Sequence, residues 1–370
     1  MALQSAPMPQ PSPHSFAAAS PPPAPRPSKR SKQRILFALS ESERDRLFPS
    51  FDAGLLSTTQ CAWVDAGAMQ TAMEWELLLR EYKPTMLVSW WTTPAIPQAI
   101  LADDAHPLRY ICHAGGSVKG VVPREFIAKG GLVTNWGSLI SHTVAEHALL
   151  LILASLRNMR SWDSTPSFAV NGEKNWGNPS VFGTMSLRGR RVGIHGFGSI
   201  ARELVQLLKP FEARCSAYSE NVPADFMTRH GVVPCWDLKE LFSRSEILVE
   251  CEALTPRSEG SVTAELLHML PDEAVFVNVA RGRIVDERAL ERIVAAGRLR
   301  VAADVFQIEP LPDDSPLRNQ RNMIISPHIG GPTYDWYPRC GEFAIANIAR
   351  YLSGDMMESV VTLEIYDQST

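Results

Sequence analysis

The sequence predicts an α/β protein with two domains, one of which is built on a doubly wound parallel sheet. Three observations support this prediction. The chain has 370 residues, more than one hydrophobic core usually organises. Short, nearly continuous apolar runs alternate with helix-like stretches, as in a parallel sheet covered on both faces. A glycine-rich turn joins one of these runs to an amphipathic stretch, which is typical of the first strand and helix of such a sheet.

Residues 1–33 differ in composition from the rest of the chain. They contain nine of the 28 prolines, no acidic residue, and a basic cluster made of Arg26, Lys29, Arg30 and Lys32. Such a segment buries too little apolar surface to offset its chain entropy, so we predict a disordered, proline-rich tail. It also lacks the apolar core of a secretory signal.

The first folded part is predicted to span residues 34–140 as an α/β unit. Strand-like apolar runs begin at Arg34, Thr85 and Leu108, and a helix-like stretch covers residues 69–81. This alternation is typical of parallel strands joined by helices.

A long helix is predicted to follow from Ser141 to Arg157. Apolar residues fall on both of its faces, so we expect it to be buried on both sides, between domains or between subunits. Residues 161–187 come next and are rich in Gly, Pro, Ser, Asn and Trp, which indicates a connection or a flap.

The alternation of strands and helices becomes regular after Arg188. Strands are predicted to begin near residues 190, 214, 247, 274, 301 and 323, with helices at 200–209, 238–243, 264–270 and 286–296. Nearly continuous apolar strands separated by helices predict a doubly wound parallel sheet.

The glycine motif of this sheet is G-I-H-G-F-G-S-I-A, in which Gly196, Gly198 and Ala201 form the pattern G-x-G-x-x-A. Gly196 permits a tight turn, Gly198 lets a pyrophosphate approach the backbone, and Ala201 lets the helix pack closely on the strand. The helix that begins at Ser199 and Ile200 would direct its N–H groups at the phosphates. The motif therefore predicts a dinucleotide site.

The adenosine ribose is usually bound by an acid about 20 residues after the glycines. This chain has Ser219 at that place and Glu220 one residue later. Because Glu220 would repel the 2′-phosphate of NADP, we predict NAD as the cofactor, with NADP less favoured. Arg229 would reverse this preference if its loop folded back to the site.

Seven motifs occur in order between about residues 108 and 345. They are H-A-G-G-S-V from His113, V-A-E-H-A-L from Val144, the glycine motif, A-L-T-P from Ala253, N-V-A-R-G-R-I-V-D from Asn278, A-D-V-F-Q-I-E-P-L-P from Ala303 and S-P-H-I-G-G from Ser326. In this order the motifs resemble those of the D-isomer-specific 2-hydroxyacid dehydrogenases.

The resemblance implies that a dinucleotide-binding domain, residues 141–329, is inserted into a discontinuous, flavodoxin-like catalytic domain. The catalytic domain would consist of residues 34–140 and 330–370, with the active site in the cleft between the two domains. The helix from Ser141 would be a crossover and dimer element, so a homodimer is expected.

The implied reaction transfers a hydride between a nicotinamide cofactor and a 2-keto acid or D-2-hydroxy acid. Arg281 would bind the substrate, since its guanidinium suits a carboxylate and it follows a predicted strand. His328 would be the acid and base, because an imidazole exchanges a proton near neutral pH. Glu309 would lie behind the imidazole and fix its tautomer.

Further site residues are implied by the same motifs. Asp304 would bind the nicotinamide carboxamide, and Val279 and Ala280 would contact the nicotinamide side of the cofactor. The backbone amides of Gly116 and Ser117 would receive the substrate carboxylate. Ordinary strand ends and a plain turn are the competing interpretations of these positions.

Several other positions are interpreted as structural or stay open. His142, His147 and His195 are interpreted as structural histidines. Cys251 and Ala253 stand where the family usually has His and Pro, so the contacts on the adenine side stay open.

The substrate is only partly indicated. The phosphoglycerate branch of the family has arginines where this chain has Trp90 and His113, and the chain ends at residue 370, which leaves no room for a C-terminal regulatory domain. Phosphoglycerate is therefore disfavoured. Trp90, Trp91 and Trp136 either form an apolar pocket wall, which would favour a small or aromatic keto acid, or belong to the ordinary core.

Two other functions remain as alternatives. An NAD-responsive, corepressor-like protein would share the fold, and the basic tail is its only support. A methyltransferase with the same glycine turn would leave Arg281, Glu309 and His328 unexplained.

Composition argues against several partners and sites. The formal net charge of −4 indicates no nucleic-acid partner, and no apolar run approaches the ~20 residues of a membrane span. Six scattered cysteines without a C-x-x-C pair predict no metal site. They also suit a reducing compartment, so we expect a cytoplasmic protein.

Overall fold

The computed structural model describes residues 33–51, 56, 59–162, 169–170, 173–174, 180 and 182–368. The predicted tail lies outside the described residues apart from Gln33, and so does most of the predicted flap. The described part contains two parallel sheets with helices packed against them, which confirms the predicted α/β class.

The first sheet is parallel and has five strands in the order β2-β1-β3-β4-β5. Its strands are β1 (Arg34–Leu39), β2 (Gln60–Asp65), β3 (Met86–Ser89), β4 (Tyr110–His113) and β5 (Leu132–Thr134). This is the predicted flavodoxin-like order, and the direction of the connections reverses between β1 and β3. The apolar runs predicted as strands form β1, β3 and β4, whereas β2 is half-exposed along its length and has no predicted counterpart.

A short antiparallel pair, β6 (Ala169–Val170) and β7 (Glu173–Lys174), follows in the sequence. The second sheet is parallel and has seven strands in the order β10-β9-β8-β11-β12-β13-β14. Its strands are β8 (Arg191–His195), β9 (Arg214–Tyr218), β10 (Val233–Pro234), β11 (Ile247–Glu250), β12 (Val275–Asn278), β13 (Arg300–Ala303) and β14 (Met323–Ile325). This order confirms the predicted doubly wound sheet, whose connections reverse between β8 and β11.

Four helices cover the first sheet before the chain leaves it. They are α1 (Glu41–Leu47), α2 (Ala72–Tyr82), α3 (Gln98–Leu101) and α4 (Arg124–Ala128). Capping boxes begin the first two: Ser40 with Glu43 at α1, and Thr71 with Glu74 at α2. In each box the two side chains bond to backbone N–H groups that a helix start leaves without partners.

The helix predicted from Ser141 is α5 (Ser141–Leu156), which packs against the second sheet at β12 and β13. Ala145, Ala148 and Ile152 are fully buried, but Leu150 is 54% exposed and Glu146 is exposed as well. The predicted burial on both sides therefore holds for most of the helix in the single chain, but not for the positions of Glu146 and Leu150.

The remaining helices follow the second sheet and the return of the chain. They are α6 (Ser199–Leu208), α7 (Ala224–Arg229), α8 (Leu238–Arg244), α9 (Ala264–Met269), α10 (Glu287–Ala295), α11 (Tyr337–Ser353) and α12 (Leu363–Gln368). α11 packs on α1 and β4, and α12 packs on α4. The N–H of Val361 donates to the carbonyl oxygen of Val133 at 2.8 Å. The segment after β14 therefore returns to the first sheet.

No helix in the described part of the chain is long and apolar enough to cross a membrane. The same residues contain no group of His, Cys, Asp and Glu side chains arranged to hold a metal ion. All six cysteines are described and are free thiols.

Candidate active site

Arg281, Glu309 and His328 line one cavity of about 280 Å³. Arg281 follows β12, Glu309 follows β13 and His328 follows β14, and these strands are neighbours in the second sheet. Adjacent strand ends thus bring together residues that are far apart in the sequence. The carboxyl ends of parallel strands are where such sheets bind ligands, so the cavity is a candidate active site.

Glu309 lies behind the imidazole of His328. Its Oε2 is 2.6 Å from His328 Nδ1, and its Oε1 accepts the backbone N–H of Phe306 at 2.9 Å. The backbone therefore orients the carboxylate, and the carboxylate orients the ring with Nε2 on the far side. The side chain of His328 is 48% exposed, so a small molecule in the cleft can reach it.

The turn that carries His328 has a left-handed backbone at the histidine itself, with φ at 53°. For a residue with a side chain this conformation costs on the order of 1 kcal/mol. Hydrogen bonds to Asp304 offset the strain. The His328 N–H donates to the Asp304 carbonyl oxygen at 2.9 Å, and the N–H groups of Ile329 and Gly330 donate to the Asp304 carboxylate at 3.0 and 2.9 Å.

Asp304 is itself buried beneath this turn. Its carboxylate also accepts the hydroxyl of Ser326 at 2.6 Å, and His147 Nε2 lies 3.3 Å away. Burial alone would raise the pKa of Asp304, but the hydrogen bonds from His147, Ser326 and the backbone of the turn hold this pKa well below its usual range. Asp304 therefore supports the His328 turn, and its contact with a nicotinamide carboxamide stays a prediction.

Arg281 is placed by the glycine that follows it. A Cβ on Gly282 would lie 1.9 Å from the carbonyl carbon of Phe306, so only glycine permits the close approach of these two backbone segments. That approach brings Arg281 and Glu309 into one cleft. Arg281 Nη1 donates to the Ala280 carbonyl oxygen at 2.7 Å. Burial lowers the pKa of the guanidinium and the charge of Glu309 opposes this effect, but an arginine so placed remains a cation.

The predicted carboxylate loop, Gly116 and Ser117, follows β4 of the first sheet. The ring of Trp136 lies against it, since a Cβ on Gly116 would be 2.7 Å from that ring. Asn135 Nδ2 donates to the Gly116 carbonyl oxygen at 2.7 Å. His113 is buried below the loop, with Nδ1 3.0 Å from Ser89 Oγ, and burial lowers its pKa to about 4. The imidazole is therefore neutral at pH 7 and provides no cation for a substrate phosphate.

Three tryptophans form a cluster beside this loop. Ring centroids are 4.6 Å apart for Trp90 and Trp91, 5.5 Å for Trp90 and Trp136, and 5.8 Å for Trp91 and Trp136. Trp90 is buried, whereas Trp91 is 54% exposed. Trp90 thus belongs to the core, and Trp91 presents an aromatic surface to solvent. Both also line a second cavity of about 200 Å³ together with Arg46 and Tyr337.

The glycine motif lies at the reversal point between β8 and β11. Gly196 has φ at 86°, and a Cβ on it would be 2.5 Å from Cα of Glu252, so the turn requires glycine. A Cβ on Gly198 would meet no atom within 4 Å, which shows open space in front of that residue. α6 begins directly afterwards at Ser199 and Ile200, and the first N–H groups of a helix lack partners within it. These features fit the pyrophosphate of a dinucleotide.

The end of β9 carries Ser219 and Glu220. Ser219 Oγ donates to Glu252 Oε2 at 3.1 Å, and Glu220 pairs with Arg257. Arg229 pairs with Asp225 of its own helix at 2.6 Å. The alternative in which the loop of Arg229 folds back to the ribose site is therefore absent from this structure.

Val279 and Ala280, predicted for the nicotinamide side, lie at the end of β12 and are 6% and 7% exposed. The Val279 N–H donates to the Glu250 carbonyl oxygen at 3.3 Å, and the Ala280 N–H donates to Asn278 Oδ1 at 3.0 Å. Their N–H groups are thus committed within the protein, and the Ala280 carbonyl oxygen accepts a hydrogen bond from Arg281 Nη1.

Two acidic residues near the glycine turn have no counterpart in the sequence predictions. Glu250 is fully buried and its Oε2 is 2.6 Å from Nδ1 of His195, its register partner on β8. Burial would lower the pKa of His195, but the charge of Glu250, its hydrogen bond to the ring and the charge of Glu252 together raise this pKa. Glu252 follows two residues later. The signal in the sequence is a pair of acids in the otherwise apolar run I-L-V-E-C-E.

The family model for "D-isomer specific 2-hydroxyacid dehydrogenase, NAD binding domain" matches residues 149–330. A glyoxylate reductase from Thermofilum pendens is 30% identical over 242 residues, which cover 65% of this chain and 71% of that protein. The chain belongs to the D-isomer-specific 2-hydroxyacid dehydrogenase family.

Two further relatives of this dehydrogenase family extend the comparison. A D-3-phosphoglycerate dehydrogenase from Methanocaldococcus jannaschii is 30% identical over 262 residues, covering 70% of this chain. The match covers 49% of that relative, so the chain spans about half its length. The apo D-mandelate dehydrogenase of Rhodotorula graminis has a TM-score of 0.75 at 17% identity, covering 89% of this chain and 97% of that one, and shows the shared fold. These relatives lend no support to the corepressor-like alternative.

Proposed function

We propose that this protein reduces a 2-keto acid to a D-2-hydroxy acid, or catalyses the reverse reaction, with a nicotinamide dinucleotide as the hydride carrier. One observation carries the proposal: the hydrogen-bonded pair of His328 and Glu309, 2.6 Å apart, lies in the same cleft as Arg281. Membership of the dehydrogenase family supports the same class of reaction.

Each of these residues has a role in the proposed reaction. Arg281 binds the substrate carboxylate and polarises the keto oxygen with its guanidinium fork. Protonated His328 donates from Nε2 to the oxygen as it becomes a hydroxyl, and takes the proton back in the oxidation direction. Glu309 is a positioning residue that holds the ring through Nδ1. When bound, the nicotinamide ring supplies or accepts the hydride.

The substrate carboxylate is also proposed to meet the backbone N–H groups of Gly116 and Ser117 on the first sheet. Phosphoglycerate is disfavoured, because the two positions that are arginines in that branch are the buried Trp90 and the neutral His113. The exposed ring of Trp91 beside this loop favours a keto acid with a small or aromatic side chain.

NAD is the proposed cofactor rather than NADP. Gly196, Gly198, Ser199 and Ile200 would hold the pyrophosphate, and Val279, Ala280 and Asp304 would lie on the nicotinamide side. The carboxylate of Glu220 at the ribose end opposes a 2′-phosphate, and Arg229 is engaged with Asp225. The negative charge of Glu220 and the pairing of Arg229 with Asp225 support the preference for NAD.

The two sheets support the proposed division into domains. Residues 34–140 and 330–370 would form the substrate domain around the first sheet, and residues 141–329 would form the cofactor domain around the second. The return of α11 to α1 and β4 supports this boundary.

A cytoplasmic homodimer is proposed as the working form. The exposed apolar side chains of Leu150, Met159 and Trp162, on α5 and the turn after it, support a subunit contact there. The free state of all six thiols supports a reducing compartment.

The test is NADH oxidation by the full-length protein with glyoxylate, hydroxypyruvate, pyruvate and phenylpyruvate, repeated with NADPH. We expect turnover of at least one acid and its loss in Arg281→Ala. Arg244→Ala is the matched control, since Arg244 pairs with Glu240 on the exposed face of α8. Tight NADH binding without turnover of any of the acids would contradict the proposal and favour a binding protein.

A further inference from the structure

The ribose end of the proposed cofactor site lacks an acid on its own strand. Ser219 directly follows β9, at the position where an acid usually binds the hydroxyls of the adenosine ribose. Its hydroxyl is not free, because it donates to Glu252 Oε2 at 3.1 Å. A carboxylate is therefore present beside Ser219, but it comes from the segment after β11.

The position of Glu252 is fixed by the glycine turn. A Cβ on Gly196 would lie 2.5 Å from Cα of Glu252 and 2.6 Å from its backbone nitrogen, so this residue passes directly over the turn. Its side chain then spans the end of β8 to reach Ser219 on the other side. Glu252 thus stands at the reversal point of the sheet, which is where a dinucleotide lies in this fold.

The carboxylate of Glu252 can accept further hydrogen bonds. Oε2 accepts the Ser219 hydroxyl, and Oε1 accepts the Ala253 N–H at 2.9 Å. Each carboxylate oxygen has two lone pairs, so each retains one acceptor position. The residue is half-buried, which leaves it reachable from the crevice while water screens its charge only in part.

The other charged groups around Ser219 are engaged elsewhere. Glu220 pairs with Arg257 on the exposed rim, where their side chains are 47% and 79% exposed. Glu250 is fully buried and bonded to His195 and to the N–H of Glu252. Within the described structure, Glu252 is the acid whose carboxylate accepts the Ser219 hydroxyl.

We infer that Glu252 supplies the carboxylate that accepts the ribose hydroxyls of NAD(H) and rejects the 2′-phosphate of NADP(H). This inference rests on the proposed function, since it requires a nicotinamide dinucleotide at the glycine turn. A ribose diol offers two donors to the free acceptor positions of the carboxylate. A 2′-phosphate offers none and places a dianion against a fixed negative charge.

The test measures the binding of NADH and of NADPH to the full-length protein by calorimetry, in the absence of any keto acid. We expect the wild type to bind NADH at least about 10-fold more tightly than NADPH. Glu252→Gln should reduce this preference by about 10-fold, through weaker NADH binding and stronger NADPH binding, because a hydrogen bond to a charged acceptor is lost. Glu212→Gln is the matched control and should change the preference by less than about 3-fold, because Glu212 is exposed, pairs with Arg188 and precedes β9, at the edge of the sheet opposite the glycine turn.

A second variant controls for a local structural disturbance caused by Glu252→Gln. Ser219→Asp added to Glu252→Gln returns an acid to the end of β9 and should restore the preference for NADH. The inference is overturned if Glu252→Gln leaves the ratio of the two affinities unchanged. It is also overturned if the wild type prefers NADPH and Arg257→Ala removes that preference. A protein that binds neither dinucleotide contradicts the proposed function itself, whereas a ratio insensitive to residue 252 contradicts only this inference.

Discussion

The carboxylate of Asp304 accepts the backbone N–H of Gly330 at 2.9 Å, and this contact holds the turn on which His328 stands. The two residues touch closely, since a Cβ on Gly330 would lie 3.0 Å from Asp304 Oδ2. The neighbouring N–H of Ile329 donates to the other oxygen at 3.0 Å. A buried anion directly after β13 therefore fixes the backbone of the loop that follows β14. These hydrogen bonds hold the strained His328 in place.

Asp304→Asn tests this relationship. An amide oxygen can replace only one of the two carboxylate oxygens, so at least one N–H of the turn loses its acceptor. We expect the free energy of unfolding to fall by about 2–3 kcal/mol, measured by urea denaturation. Ser326→Ala removes one hydrogen bond to the same carboxylate and the 2.9 Å contact between Ser326 Oγ and His147 Nε2, and should cost about 1–2 kcal/mol. A stability of Asp304→Asn equal to that of the wild type would show that the anion does not hold the turn.

Removal of the proton donor should slow turnover strongly without affecting cofactor binding. His328→Gln is expected to lower kcat by about 10²–10⁴-fold, the usual contribution of general acid and base catalysis. Glu309→Gln should lower kcat by about 10–100-fold with little change in KM, because Glu309 acts only through the ring. Dissociation constants for NADH should stay within about 2-fold of the wild type. Full activity of Glu309→Gln would contradict the positioning role.

Arg281→Lys keeps the positive charge but removes the guanidinium fork. We expect KM for the keto acid to rise by about 10-fold or more, because one of two parallel hydrogen bonds to the carboxylate is lost. Initial rates at varied keto acid and saturating cofactor provide the measurement. Arg244→Lys should behave as wild type, and an unchanged KM in Arg281→Lys would argue that the substrate carboxylate binds elsewhere.

Gly282 is expected to be intolerant of the smallest side chain. In Gly282→Ala the new Cβ would meet the Phe306 carbonyl carbon at 1.9 Å, and because this atom belongs to the backbone, the two segments would have to separate. The free energy of unfolding should fall by about 3 kcal/mol, or the site should distort and lose activity. Gly120→Ala is the control, since a Cβ there meets nothing within 4 Å. A Gly282→Ala protein as stable and active as Gly120→Ala would refute the close approach.

Burial of neutral His113 should make the protein less stable in acid. Its pKa is lowered to about 4 in the folded protein, against about 6.5 when unfolded. Between these values the unfolded chain binds a proton that the folded protein refuses, so stability falls as the pH falls. We expect about 2 kcal/mol of loss between pH 7 and pH 5 from this residue.

The corresponding measurement compares urea denaturation of the wild type and His113→Gln at the two pH values. The variant should lose about 2 kcal/mol less than the wild type over this interval. His268→Gln, a change at an exposed histidine of α9, should follow the wild type. Equal losses in the wild type and in His113→Gln would contradict the buried neutral state.

Much of the fold could be predicted because it depends on local patterns. Fully buried parallel strands need continuous apolar runs, so β1, β3 and β4 and most strands of the second sheet were visible in the sequence. The half-exposed β2 and the helix α11, which alternates apolar and polar residues over a long stretch, lack so strong a pattern. Their assignment depends on what packs against them.

The candidate site divides in the same way. The glycine turn could be predicted from the sequence, because the residues that form it lie within a few consecutive positions. The convergence of Arg281, Glu309 and His328 was implied by a resemblance, and the cleft that joins them comes from strand order. Glu252 escaped prediction because its partner Ser219 lies on another strand, across the end of β8.

Local sequence patterns were enough to predict the α/β class, the position of the glycine turn and the identity of the groups able to transfer a proton, since backbone preference and side-chain chemistry are local properties. Only the three-dimensional arrangement shows which of these groups meet, which carboxylate bonds to Ser219 and how Asp304 holds the His328 turn. Those outcomes depend on the order of parallel strands, and each joins atoms that the chain itself keeps far apart.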